Sequence, residues 1–181
     1  MRGLKMAGFL AASATITFVA GGLVFIENAN ARLQPAAPAI QQGPCATPDH
    51  RAFDFWVGQW VVYDPQGDVV GRNTLELKLY GCTLHESWES ASGPTGNGHS
   101  YSFFDAQAGK WHQTWIDASG TALYLEGGWN GEAMVMSDGP NRVTWTPHDD
   151  GSVQQVWQTS TDDGTTWSTV FDGQYVRARQ E

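Results

Sequence analysis

A carboxylate and two amides lie at the same short spacing from tryptophans in this chain. The pairs are Glu86 with Trp88, Gln113 with Trp115, Gln155 with Trp157 and, with an apolar first member, Val143 with Trp145. In a strand, residues two apart share a face, so each polar side chain would point the same way as its tryptophan. A close-packed core disfavours amides and carboxylates, because burying them without hydrogen bonds costs free energy. A ligand cavity explains the pattern, and the alternative is a set of polar groups that bond one another around trapped water.

Glu86 is the candidate for acid–base chemistry. Burial among tryptophans would raise the pKa of its carboxyl group, which suits a general acid or base. The alternative is a carboxylate held by hydrogen bonds from Gln113 or Gln155. The five histidines are scattered without metal-binding spacing, and neither a nucleophile elbow nor a phosphate-binding glycine loop occurs. We therefore expect neither a metal nor a cofactor.

Strand-like segments must position these side chains. Leu75, Leu77 and Leu79 alternate with polar residues, which is the period of a half-buried strand. Asn130-Gly131 is the strongest two-residue hairpin signal. Turns rich in Gly, Asp and Asn separate the segments, and no helix is predicted. The pattern predicts an all-β fold, a single antiparallel up-and-down β-barrel of about ten strands. The predicted strands are 57–63, 69–80, 83–90, 99–104, 110–116, 121–127, 132–136, 142–146, 152–159 and 167–177.

The first predicted strand contains Gly58-Gln59-Trp60, which resembles the Gly-x-Trp motif of lipocalin-like barrels. In those barrels the tryptophan plugs one end, and a basic residue of the last strand covers its ring. The resemblance implies structural roles for Gly58, Trp60 and Arg177, with Arg179 as the alternative cation. The competing interpretation is a tryptophan-rich first strand in another β-sandwich.

Residues 1–31 predict export. Arg2 and Lys5 precede an uncharged apolar run over residues 6–26, and the Ala-Asn-Ala sequence at residues 29–31 fits the small-x-small cleavage rule. The run is also about long enough to span a bilayer, so a cleaved signal peptide and an uncleaved N-terminal membrane anchor both stay open. Either arrangement exports the body of the protein, which we expect to be periplasmic or secreted.

Residues 32–44 have the composition of a flexible linker, and residues 45–181 have the size of one domain, the predicted lipocalin-like barrel. Cys45 and Cys82 are the two cysteines of the chain. In an exported protein, the expected arrangement is one disulfide that ties the segment before the first strand to the end of the second strand.

The charge balance argues against nucleic acid as a partner. The chain has 10 Lys plus Arg and 19 Asp plus Glu, a formal net charge of −9. Binding to phosphate backbones requires a concentration of positive charge, which the scattered basic residues do not provide. Anionic membrane surfaces are disfavoured for the same reason, so contact with a membrane is expected only if the N-terminal segment stays uncleaved.

Several short motifs follow one another along the chain. They are Phe53–Trp60, Gly81-Cys82 with Glu86 and Trp88, Tyr101–Asp105, Trp111–Asp117, Arg142–Pro147 and Ser160–Trp167. This ordered set resembles a family of exported bacterial proteins of unknown function that is associated with the calycin, or lipocalin-like, barrels. The resemblance covers nearly the whole mature chain and implies a barrel with a small-molecule cavity. It carries over no ligand and no activity.

Three functional hypotheses follow. The first is an exported binding protein that holds a small, partly apolar ligand in the cavity. The alternatives are a cofactor-free, cup-type enzyme that uses Glu86, and a glycan-binding or interaction module whose exposed tryptophans stack on the partner. Inward tryptophans favour the first two hypotheses, and exposed coplanar tryptophans favour the third. The expected ligand-binding residues are Glu86, Trp88, Tyr101, Phe103, Gln113, Trp115, Trp145, Gln155 and Trp157.

Overall fold

The computed structural model describes residues 43–179, which form one closed antiparallel barrel. Each strand pairs with its neighbours in sequence, and the last strand pairs with the first. The predicted all-β, up-and-down barrel of about ten strands is confirmed. The predicted signal peptide or anchor and most of the linker lie outside the described residues. The strands are β1 Gly58–Tyr63, β2 Val69–Lys78, β3 Thr83–Ser90, β4 Gly98–Asp105, β5 Lys110–Asp117, β6 Ala122–Trp129, β7 Met134–Ser137, β8 Asn141–Pro147, β9 Val153–Thr159 and β10 Ser168–Arg177.

The second strand is shorter than its sequence pattern predicts. β2 ends at Lys78, and Leu79 and Tyr80 then adopt positive φ angles of 50° and 58°. Leu75 is buried, whereas Leu77 and Leu79 are 37% and 71% exposed. Of the three alternating leucines, only Leu75 therefore lies in the core, and the pattern of alternation runs past the buried part of β2.

One end of the barrel is closed by the segment that precedes β1. This segment contains a four-residue helix, α1 (Pro48–Arg51), which is too short for sequence periodicity to predict, and a 3-10 turn over Asp54–Trp56. Phe53 and Trp56 are 1% and 0% exposed. Among residues 43–179, no helix combines the length and the apolar character needed to cross a membrane.

A disulfide fastens the closing segment to the barrel. Cys45 and Cys82 are bonded, with their Cα atoms 5.0 Å apart. The Arg51 guanidinium adds a hydrogen bond to the carbonyl oxygen of Gly81, next to the bridge. By the chain-entropy estimate, closing this loop stabilises the fold by about 3–4 kcal/mol.

The contact between the first and last strands surrounds Trp60. Its ring is 1% exposed, and the Arg177 guanidinium carbon lies 3.8 Å from the ring centroid. Arg177 also donates hydrogen bonds to the carbonyl oxygens of Val57 and Phe55. Gly58 has a φ of +140°, and a Cβ atom there would overlap the Arg177 guanidinium. The positive φ therefore favours glycine at this position, and a larger residue would also have to displace the Arg177 guanidinium from the Trp60 ring.

Candidate ligand-binding cavity

A cavity of about 650 Å³ opens at one end of the barrel. Its rim includes Pro65 of the β1–β2 turn, Ser92 of the β3–β4 loop and Val170 of β10. Connections in an up-and-down barrel alternate between its two ends, and the closing segment enters β1 from the end opposite the β1–β2 turn. The cavity therefore opens at the end opposite α1.

Tryptophans form the walls of the cavity. Trp88, Trp115 and Trp157 line it and are only partly buried. Phe171 completes the wall and meets Trp88 edge to face, with ring centroids 6.0 Å apart. The Trp157 indole N–H donates to Asn141 Oδ1 at 2.9 Å, which fixes the orientation of that ring. Aromatic faces of this kind bind flat or apolar groups.

Two glycines of neighbouring strands give these indoles their positions. A Cβ atom at Gly71 would overlap the ring of Trp88, and one at Gly98 would overlap the ring of Trp115. Sequence reasoning missed both, although a glycine inside a strand is a known sign of close approach by another group.

The Glu86 carboxylate lies in the floor of the cavity. Glu86 is 4% exposed, and its two oxygens accept hydrogen bonds at 2.6 Å from Asn73 Nδ2 and from Ser100 Oγ. Burial raises the pKa of the carboxyl group, and the hydrogen bonds from Ser100 and Asn73 oppose that shift. Its partners are thus not Gln113 and Gln155, the ones considered from the sequence.

Two amides and a phenol complete the polar floor. Gln113 Nε2 donates to Ser102 Oγ at 3.1 Å, and the Tyr175 hydroxyl donates to Gln155 Oε1 at 2.5 Å. Asn73 Nδ2 also lies 3.5 Å from the Tyr175 hydroxyl, which connects the Glu86 and Gln155 sides of the floor. Burial raises the pKa of Tyr175 well above its ordinary value, as does the nearby Glu86. Tyr175 therefore acts as a neutral hydrogen-bond donor.

The structure brings together six of the residues expected at the site, and it places three elsewhere. Glu86, Trp88, Gln113, Trp115, Gln155 and Trp157 all line the cavity. Trp145 is inward but 1% exposed, packed in the closed end with ring centroids 5.2 Å from Phe53 and 5.3 Å from Trp56.

Tyr101 and Phe103 lie on the outer surface, which corrects their expected place in the cavity. They are 53% and 41% exposed, and they alternate with Ser100 and Ser102, each 1% exposed. Tyr101 packs instead against His85, with ring centroids 4.8 Å apart. Successive side chains of a strand point to opposite faces, so the inward serines force the two aromatic rings outward.

Sequence reasoning also missed four polar residues in or beneath the floor, of which Tyr175 lines the cavity and the other three support it. They are Asn73, Ser100, Ser102 and Tyr175, whose hydrogen bonds are described above. For Asn73 the available signal was parity, since it lies two positions from Leu75, which is buried. For Ser100 and Ser102 parity misled, because apolar character favours Tyr101 and Phe103 as the inward residues of β4.

Within residues 43–179, no group of three His, Cys, Asp or Glu side chains is arranged to hold a metal ion. No protein-family model matches the chain, and no curated protein matches it. The closed barrel of ten antiparallel strands is consistent with a calycin-like barrel. The arrangement of the site is suited to holding a small molecule between indole faces, with hydrogen bonds from the floor.

Proposed function

We propose that this protein is an exported small-molecule-binding β-barrel protein that holds a partly apolar ligand in the cavity. The proposal rests on a cavity of about 650 Å³ with three tryptophans in its walls and Glu86, Gln113 and Gln155 in its floor. Ligand sites typically have volumes of about 300–1,000 Å³ and combine apolar walls with a few polar groups. Export is supported by the N-terminal sequence, by the resemblance to an exported family and by the disulfide.

The floor amides have hydrogen-bonding capacity left for a ligand. Gln113 bonds Ser102 through its amide nitrogen, so its carbonyl oxygen can accept a further bond. Gln155 bonds Tyr175 through its carbonyl oxygen, so its amide nitrogen can donate. A ligand with a polar group at its buried end and an apolar body between the indoles fits both features.

Native mass spectrometry of protein purified from its own host tests this proposal. We expect one small molecule per chain, released on denaturation. Trp115→Ala should lose the bound molecule, because it removes a cavity wall. Trp129→Ala is the matched control, since Trp129 is 41% exposed and lies outside the cavity lining. Bare wild-type protein, or equal retention by both variants, would contradict the proposal.

A cup-type enzyme is the second candidate, favoured by the raised pKa of Glu86 at the floor. Glu86→Gln preserves the shape of the side chain and removes its charge. An enzyme that uses this carboxyl group should lose on the order of a hundredfold in turnover of the retained molecule, with binding preserved. Mass analysis of the released molecule after incubation with each form measures that difference. The glycan-binding module is disfavoured, because Trp88, Trp115 and Trp157 line a cavity rather than an outer platform.

A further inference from the structure

The charged side chains that line the cavity are all acidic. Glu86 lies in the floor, and Asp64 and Asp117 lie nearer the rim. Asp172 of β10 also borders the cavity, but its carboxylate accepts a hydrogen bond from Gln154 Nε2 on the outer face. It points outward because the inward residues of these strands are Gln155 and Phe171. No Lys, Arg or His of residues 43–179 belongs to the lining. An entering anion would therefore meet only like charge, and a cation would meet only opposite charge.

Two arginines that could have supplied positive charge pack on other aromatic rings. Arg177 covers Trp60 at the closed end, with its guanidinium carbon 3.8 Å from the ring centroid. Arg142 lies in the same way over Trp167, at 4.1 Å. Each guanidinium is thus directed at a ring outside the cavity lining, and neither balances the acidic groups of the cavity.

The rim carboxylates are held in place by the turns that carry them. Asp64 Oδ1 accepts hydrogen bonds at 2.9 Å from the backbone N–H groups of Gln66 and Asp68. Asp117 Oδ1 likewise accepts from Ser119 and Thr121. The negative charge at the mouth is therefore a fixed feature of the fold, not the chance position of a mobile side chain.

The walls have the chemistry that favours a cation inside. The faces of aromatic rings attract positive charge, tryptophan most strongly, and the attraction grows as water is removed. Trp88, Trp115 and Trp157 present such rings around one space, with Phe171 beside them. Enclosure by several aromatic rings is the general way in which proteins recognise quaternary ammonium groups.

We propose that the cavity selects organic cations, namely molecules that carry an ammonium or quaternary ammonium group on a flat or compact apolar body. This inference rests on the binding function proposed above and gives the chemical class of its ligand. The cationic group is placed among the indoles, above Glu86, and the rim aspartates attract it towards the mouth. Fatty acids and other carboxylates are excluded by the same charges.

Glu86 compensates the charge of the bound cation. Its direct partners are Asn73 on β2 and Ser100 on β4, which are neutral, and Tyr175 on β10 is the nearby titratable group. The other carboxylates that face the cavity are those of Asp64 and Asp117. A bound cation would favour the ionised form of Glu86, so binding is coupled to the loss of a proton.

Three probes of similar size test the inference by calorimetric or fluorescence titration of the wild-type protein. They are phenyltrimethylammonium, its neutral isostere tert-butylbenzene and the anion benzenesulfonate. We expect the cation to bind on the order of tenfold or more tightly than the neutral isostere, and the anion to bind most weakly. The affinity for the cation should rise with pH through the titration of Glu86, whereas that for tert-butylbenzene should not.

Equal binding of cation and isostere, or tightest binding of benzenesulfonate, would overturn the inference on ligand class. If Trp115→Ala still abolished the binding of whichever probe the wild-type protein binds, the cavity would remain a binding site and the proposed function would stand. Binding of none of the three probes would also overturn the cation inference, and the native mass measurement would then decide the proposed function separately.

Two matched variants locate the charge effect. Glu86→Gln should weaken phenyltrimethylammonium on the order of tenfold and leave tert-butylbenzene unchanged. Glu89→Gln removes an equal charge from an exposed position on the same strand and should alter neither affinity. Equal effects of the two variants would show that net charge, and not the cavity, sets the preference. If Glu86→Gln does not fold, the pH dependence of the wild-type affinities gives the same test.

Discussion

The two ends of this barrel use the same residue type for different purposes. At the closed end, Trp56, Trp60 and Trp145 are each at most 1% exposed. At the open end, Trp88, Trp115 and Trp157 also point inward, yet they remain partly exposed around a cavity.

The difference comes from what lies over each end. The segment containing α1 packs Phe53 against Trp56 and Trp145, with ring centroids 5.0 and 5.2 Å apart. At the other end the rim is formed by turns, and the indoles meet a polar floor instead of further rings. An inward orientation therefore does not decide between core and binding site, whereas the covering segment does.

The largest expected difference between the ends is in stability. Trp56→Ala should lower the free energy of unfolding by about 3–5 kcal/mol, because it leaves a void in a packed cluster. Trp157→Ala should lower it by clearly less, since that ring already borders open space. Denaturant unfolding of both variants measures the contrast. Equal losses would mean that the open end is packed like the closed end.

Removing the disulfide should act on the closed end alone. The double variant Cys45→Ala, Cys82→Ala should lose about 3–4 kcal/mol of stability. Its affinity for cavity probes under folding conditions should stay at the wild-type value, because the bridge lies at the opposite end. Labelling of the unfolded, unreduced wild type should find no free thiol. Stoichiometric labelling of both cysteines would contradict the bridge.

A smaller loss is expected from Arg177→Ala. The variant gives up the cation–π and packing contact with Trp60, worth about 1–2 kcal/mol, and should bind cavity probes normally. Arg179→Ala is the control and should be close to neutral, because Arg179 is exposed and follows the end of β10. A comparable loss of stability from Arg179→Ala would show that Arg177 is not the arginine that closes the barrel.

The smallest effect concerns the open end and depends on pH. The pKa of Glu86 is raised above its ordinary 4.5 in the folded protein, so the folded state keeps this proton to a higher pH than the unfolded chain does. Its contribution to stability is therefore greatest below that ordinary pKa and falls as pH rises to the folded value. The stability of Glu86→Gln relative to wild type should accordingly increase across this interval. Glu89→Gln should show no such trend. If the relative stability of Glu86→Gln instead fell as pH rises, burial would not be what raises the pKa of the Glu86 carboxyl group.

Much of this comparison could be predicted from the period of two along the strands. Parity alone placed Glu86, Gln113 and Gln155 beside their tryptophans, and turn chemistry located the ten strands. Parity defines a face but not a height along the barrel, which is why Trp145 belongs to the closed end and not to the cavity.

The errors on β4 have a different cause. Apolar character favours Tyr101 and Phe103 as the inward residues of this strand. The floor instead needs small hydroxyl groups that can reach Glu86 and Gln113, and Ser100 and Ser102 supply them. The contact of Asn73 with Tyr175 joins residues 102 positions apart and depends on barrel closure. No local pattern carries that information.

A binding site at the open end is tested by following the indole N–H signals of the nine tryptophans by nuclear magnetic resonance during titration with phenyltrimethylammonium. We predict saturable shifts for the indole signals of Trp88, Trp115 and Trp157. The signals at the closed end should stay in place, namely those of Trp56, Trp60, Trp145 and Trp111, whose indole N–H donates to the carbonyl oxygen of Asp49. Shifts centred on the closed-end or surface indoles, or no saturable shift in the three cavity indoles, would contradict a binding site at the open end of the barrel.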